Sequence, residues 1–204
     1  MIIVRNVYGV WVMSDFDANE AFQVADYNAN WPLMFEAEAG LVADALGDHV
    51  VEIEHVGSTS VPGLCAKPII DLLVAVEEFW PVEAYMNTLG PLGYTYQSQE
   101  ADDDRKFLWK GVPRTHHMHI VEYATWEHQR HIIFRDYLRS KPEIARDYEN
   151  VKRELAVVFK SDRPAYTRGK TAFIKSIMAR AVEEILDPNL RKLLARHPDE
   201  DHFE

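Results

Sequence analysis

Asp71 is a single carboxylate inside an apolar run, Ile69-Ile70-Asp71-Leu72-Leu73-Val74-Ala75-Val76. A lone charge in such a run is costly to bury unless a partner or a metal compensates it. Upstream stands Gly57-Ser58-Thr59-Ser60. Glycine lets a ligand approach the backbone closely, and three hydroxyls beside main-chain N–H groups make a cradle for phosphate. Lys67 sits just before the apolar run, where its ammonium can act on the same anion as a point charge. The convergence of loop, lysine and aspartate on one strand end favours a site, with Asp71 as metal ligand or general base. The competing reading is a carboxylate satisfied by the N–H groups of the loop.

Four further groups invite chemistry. Strand alternation puts His117 and His119 on one face and Met118 and Ile120 on the other. Two imidazoles so spaced can bind a transition metal or contact phosphate, or simply be surface histidines on an open sheet; His116 reads as incidental. Tyr148 and Lys152 are four residues apart, as are Tyr166 and Lys170, so each pair shares a helix face. With Arg135 they could line a cleft that holds phosphates and stacks a base, or the rings could merely cover lysine stems on a solvated face. Glu52 and Glu54 alternate away from His55 and read as solvent-facing, while His55 borders the glycine-serine loop. Asp102-Asp103-Asp104 is a solvated charge run, and Cys65, between Leu64 and Ala66, is a small packing residue.

The elements that must position these groups are legible from apolar spacing. Strands are predicted over 50–56, 69–76, 94–96, 106–110 and 117–122. One helix starts after Asn30, with Pro32 in its first turn, and stops at Gly47; another runs from Pro81 to Gly90. Beyond Thr125 the chain turns helical over 126–140, 142–160 and 164–186, Pro188 breaks the last helix, and a short amphipathic tail covers 189–196. This order predicts an α+β fold, a mixed β-sheet with helices on one face plus a C-terminal helical part. The expected division is a lead-in over 1–26, a core over 27–124 and a helical part over 125–204 packed on that core. Met13 looks like an alternative start, with 1–12 dispensable.

The chain of 204 residues carries a formal charge of −11 and one cysteine. Phosphate backbones and anionic membranes demand a basic surface, so general nucleic-acid or membrane binding is excluded, whereas a small anion in a local basic pocket is not. One cysteine cannot form an internal disulfide and suits a reducing cytoplasm. No apolar run is long enough to span a bilayer.

The run His55-Val56-Gly57-Ser58-Thr59-Ser60-Val61-Pro62-Gly63-Leu64 with Lys67-Pro68-Ile69-Ile70-Asp71 resembles the GrpB family. So do His117-Met118-His119-Ile120-Val121 and Phe134-Arg135-Asp136-Tyr137-Leu138-Arg139. More broadly, Gly57-Ser58 followed by Asp71 is similar to the Gly-Ser…Asp signature of the nucleotidyltransferase superfamily, with its polymerase-β-like fold. The resemblance implies a nucleotidyltransferase-like sheet and a nucleotide or other phosphorylated small molecule as ligand. It implies phosphate binding by Gly57, Ser58, Thr59, Ser60 and Lys67, with Tyr148, Lys152, Tyr166 and Lys170 lining the cleft. It also implies a divalent metal (Mg, Mn or Zn) on Asp71, His117 and His119, with Lys67 and Arg135 neutralising charge beside Asp71. One position departs: Leu73 stands where active members carry a second acid, two residues on and on the same strand face. Metal-dependent nucleotidyl transfer and an inactive nucleotide- or coenzyme A-related binding module therefore stand side by side, with a scaffold protein as a third class.

Overall fold

The structure, a computed structural model, describes residues 4–5, 11–12, 23–98, 103–160 and 162–185. The lead-in over 13–22 with the alternative start at Met13, Asp102, and the tail over 189–196 lie outside the described residues.

Within the expected lead-in, β1 (Val4–Arg5) pairs antiparallel with β2 (Trp11–Val12). The main sheet has five strands: β3 (Val50–Val56), β4 (Ile70–Val76), β5 (Tyr94–Gln97), β6 (Arg105–Lys110) and β7 (His116–Glu122). Their spatial order is β3-β4-β7-β6-β5, with β4 and β7 parallel and every other neighbour antiparallel. The fold is α+β with a mixed sheet, as the apolar spacing predicts.

Strand alternation divides this sheet into two unlike faces. Ile70, Leu72, Val74 and Val76 of β4, Met118 and Ile120 of β7 and Leu108 of β6 form one core with Trp31, Val42, Leu46, Tyr85 and Leu89. The last five come from α1 (Trp31–Leu46) and α2 (Val82–Leu89). Pro32 does lie in the first turn of α1, but Asn30 makes no side-chain cap; its own N–H bonds Asn28 Oδ1 at 2.9 Å.

The opposite face carries a much smaller apolar group, Val56, Leu73, Ala75 and Val121, under Ile132 of α3 (Trp126–Ser140). Thr125 caps that helix by accepting from the His128 N–H at 3.3 Å. Two more helices, α4 (Pro142–Phe159) and α5 (Arg163–Ile185), build a separate core with α3 from Ile133, Tyr137, Ile144, Tyr148, Ile174, Ile177 and others. Val61 and Leu64, from the β3–β4 connection, belong to that helical core. The connection between the first two long strands thus joins the sheet to the helices, and this decides where the candidate groups meet.

Candidate functional site

Asp71 and the glycine-serine bend meet. Val56 and Asp71 are register partners across β3 and β4, so the chain leaving β3 passes directly over the aspartate. Gly57 has φ 69°, and a Cβ placed there would stand 2.8 Å from the Asp71 carboxyl carbon. Only glycine fits, because the backbone is left-handed and the carboxylate fills the space.

A 3-10 turn over Ser58–Ser60 follows, and its three hydroxyls are already engaged. Ser60 Oγ donates to the Gly57 carbonyl at 2.6 Å. Thr59 Oγ1 lies 3.0 Å from His55 Nε2, and the His55 ring stacks on Phe35 with centroids 4.7 Å apart. Ser58 bonds the Tyr148 hydroxyl. Arg139 donates through Nε and a terminal nitrogen to the Ser60 carbonyl, at 3.1 and 2.8 Å. Gly57 and Ser58 are half-buried, whereas Thr59 and Ser60 are buried. The last two shape the loop from beneath.

Asp71 also has a histidine partner. β4 and β7 run parallel with Asp71 opposite His117, and His117 Nδ1 lies 3.1 Å from Asp71 Oδ1. Both side chains keep some exposure, 16% for His117 and 23% for Asp71. A carboxylate on one ring nitrogen fixes the imidazole's orientation and tautomer, an arrangement suited to moving a proton at the other nitrogen.

His119 does not join them. Its register partners are Leu73 and Phe107, and its ring tilts against Phe107 and against His131 of α3, with centroids 5.3 and 5.0 Å away. It is buried, its Nδ1 has no hydrogen-bond partner, and burial first, then the Arg105 charge, pushes its pKa well down. The charged and titratable groups around it are Arg105, His131, His117 and Arg130. Glu127 accepts from Arg130 through both carboxylate oxygens. Burial alone would raise the Glu127 carboxyl, but His131 and Arg130 beside it hold it well below the carboxylate range. Among the described residues no three His, Cys, Asp or Glu side chains converge as a metal ion requires. The donor set expected for a divalent ion therefore does not fit among the described residues: Leu73 replaces one acid and His119 packs toward α3.

Arg135 is likewise committed elsewhere. Its guanidinium binds Glu54, the His55 carbonyl at 3.0 Å and Asp136 Oδ1 at 2.7 Å. It clamps α3 to β3, which places it beneath the loop as a support. Glu54 is thus an ion-pair partner of α3, and Glu52 accepts from His128 Nε2 at 2.5 Å; neither is the solvent-facing residue the alternation suggested. The reason is that α3 crosses this face of the sheet, and its basic residues reach the glutamates.

The tyrosine–lysine pairs of α4 and α5 come to the same end of the sheet. Tyr148 stacks on Phe173 at 5.4 Å, bonds Ser58 and carries the Lys152 ammonium 4.7 Å from its ring centre. The Tyr166 ring has Lys67 Nζ at 4.7 Å and Lys170 Nζ at 5.0 Å. Gly169 permits the close approach of the two helices, since a Cβ there would meet the Leu155 side chain at 2.6 Å. Tyr148, Lys152 and Tyr166 are buried, Lys67 and Lys170 half-buried, so a solvated face is not what these pairs form. Burial raises both tyrosine hydroxyls and lowers Lys152 to about 7.

The groups brought together are Gly57, Ser58, Asp71, His117, Lys67, Tyr148, Lys152, Tyr166 and Lys170. Those held apart are His119 and Arg135. Reading the sequence missed Arg139 on the loop and the buried Arg105–Glu127–Arg130–His131 group. The spacing of Glu127, Arg130 and His131, three and four residues apart on one helix face, was the available signal.

The sequence profile described as GrpB protein matches residues 21–180. The chain belongs to the GrpB family. It is 38% identical over 197 residues to the UPF0157 protein PA4798 of Pseudomonas aeruginosa, covering 94% of this chain and 79% of that protein. The crystal structure of the conserved protein GrpB from Enterococcus faecalis superposes with a TM-score of 0.74 at 39% identity, over 79% of this chain and 98% of that one. A more distant match, 24% identical over 177 residues, is to a dephospho-CoA kinase of Mycolicibacterium paratuberculosis, covering 74% of this chain and 44% of the kinase. The mixed sheet accords with the nucleotidyltransferase-like architecture that the GrpB resemblance implied.

Proposed function

We propose that this GrpB-family protein binds a phosphorylated small molecule, a nucleotide in the first instance, without needing a divalent metal. One observation carries the reading. The Gly57-Ser58 bend and the Asp71–His117 pair meet at one end of the sheet, and Tyr148 stands between them and the Lys67–Tyr166–Lys170 group. In a chain of charge −11, that gathering of lysines is a local reversal of sign, and a low-dielectric aromatic setting strengthens its pull on an anion. The lysines would neutralise phosphate, the tyrosine layer would pack a base or other flat group, and Asp71 would accept from a ligand hydroxyl or amine.

Leu73 and the placement of His119 favour binding over two-metal nucleotidyl transfer. The match to part of a dephospho-CoA kinase supports coenzyme A-related molecules as a second ligand class. With one buried cysteine and, among the described residues, no helix long and apolar enough to cross a membrane, a cytoplasmic setting is the companion proposal.

The test is a thermal-shift and calorimetric screen of nucleoside mono-, di- and triphosphates, coenzyme A and pyrophosphate, each with and without Mg²⁺, Mn²⁺ and Zn²⁺. Metal-independent stabilisation that is lost in Lys67→Ala is expected. Stabilisation only in the presence of a metal, and lost in Asp71→Ala, would restore the metal-dependent enzyme. A flat screen would leave a scaffold role.

A further inference from the structure

Lys152 is 2% exposed, yet no carboxylate pairs with it among the described residues. Its ammonium donates to the Cys65 carbonyl and lies over the Tyr148 ring, whose hydroxyl in turn bonds Ser58 of the loop. The Cys65 carbonyl sits two residues before Lys67, so Lys152 is tied to both the loop and the segment carrying the site's first lysine. A buried ammonium with one carbonyl and one ring is weakly compensated, because its other donors have no further protein partner among the described residues.

The charged and titratable groups around it come from three elements. On α4 they are Tyr148, Glu149 and Arg153; on α5, Lys170 and Tyr166; on the β3–β4 connection, Cys65. Burial keeps the Cys65 thiol and both tyrosine hydroxyls protonated and neutral. Cys65 and Glu149 favour a charge on Lys152, while Lys170 and Arg153 repel it, Arg153 being itself paired with Asp26 and Glu149.

We infer that Lys152 reads ligand charge: its buried amine, held by one carbonyl and one ring, takes up a proton when a polyanion binds beside Lys67 and Lys170. This rests on the phosphate-binding reading above and adds the rule by which the site prefers a highly charged ligand. The bound anion offsets the repulsion from Lys170 and adds attraction of its own, and both favour the ammonium. The balance is simple: the neutral amine plus a proton from solvent gives the ammonium, and no covalent bond to the ligand forms. The direction agrees with burial having brought Lys152 to about 7. By linkage, the ligand then binds more tightly as pH falls from 8 toward 7, because less proton uptake remains to be completed.

The experiment titrates the full chain with pyrophosphate at pH 8 by calorimetry, in two buffers of different ionisation heat, to count protons exchanged. Protons exchanged by the pyrophosphate itself are common to every variant, so differences between variants isolate Lys152. Wild type is expected to take up about one proton more than Lys152→Arg, whose guanidinium stays charged throughout. Lys152→Met, which has no titrating group, should match the arginine variant in proton count and bind several-fold more weakly. Equal counts in wild type and either variant would overturn the inference while leaving the binding site intact. Absence of pyrophosphate binding by wild type would instead remove the phosphate-binding reading, and this inference with it.

Discussion

On β4 and β7, Leu72, Val74, Met118 and Ile120 turn toward α1 and α2, while Asp71, His117 and His119 turn toward the helical side. The first face is closed by apolar contact. The second is closed by charge: Glu52 with His128, Glu54 with Arg135, and Arg105 with Glu127, around a small apolar group. Apolar contact is non-directional and strongly stabilising, whereas a polar face holds specific groups in specific places at little net gain. The comparison teaches that one face supplies stability and the other arranges chemistry, although the same strands build both.

The largest expected effect tests the apolar side. Leu72→Ala should cost about 2–5 kcal/mol by urea denaturation, through lost transfer energy and a cavity. Asp71→Asn, its neighbour on the other face, should cost under about 1 kcal/mol, because a partly exposed pair contributes little, while altering the ligand response. Similar costs for the two would erase the distinction between the faces.

Next comes Gly57→Ala, which joins a left-handed backbone to a clash with the Asp71 carboxyl group. A loss of about 2–4 kcal/mol is expected from the two costs together, read as a fall in the denaturation midpoint. A neutral result would mean that loop and aspartate are not in contact.

Lys152→Met should move stability the other way. A lysine whose folded pKa is depressed destabilises the fold most below about 7, and its cost fades as pH rises toward the unfolded value. At pH 7 a gain of about 1–3 kcal/mol is expected after allowing for the Cys65 carbonyl left without its donor. A loss of stability would show that the ammonium is well compensated.

The smallest effect concerns acid. His55 and His131 are each lowered to about 4 by burial first; the Asp71 charge opposes this at His55, and Arg130 adds to it at His131. Folded protein therefore stays neutral at these sites while unfolded chain takes up protons between pH 6.5 and 4. Stability falls as pH falls through that window, by about 1–3 kcal/mol for each imidazole, and levels off with respect to these groups below it. His131→Phe should flatten part of the slope in a pH series of melting temperatures. An unchanged slope would place the titration elsewhere.

Period-two alternation and the glycine-serine punctuation made the strands, the loop and the position of Asp71 readable directly. The strand expected over 50–56 is observed over those residues, and the one expected over 117–122 gains only His116. The tyrosine–lysine pairs were readable as shared helix faces, but not as buried ones. Arg135 and His119 carried no sign of where they would go. Their types fit a site equally well, and only the rotation of α3 over the sheet gives Arg135 to Glu54 and His119 to His131.

The sequence by itself determined which residues share a face, because side-chain direction follows from helical and strand periods that a chain cannot escape locally. The tertiary structure alone decided which faces meet. Contact between Asp71 and Gly57, or between Lys152 and the Cys65 carbonyl, depends on how sheet and helices dock. Docking is set by burial and charge summed over many distant residues, and no local spacing encodes that sum.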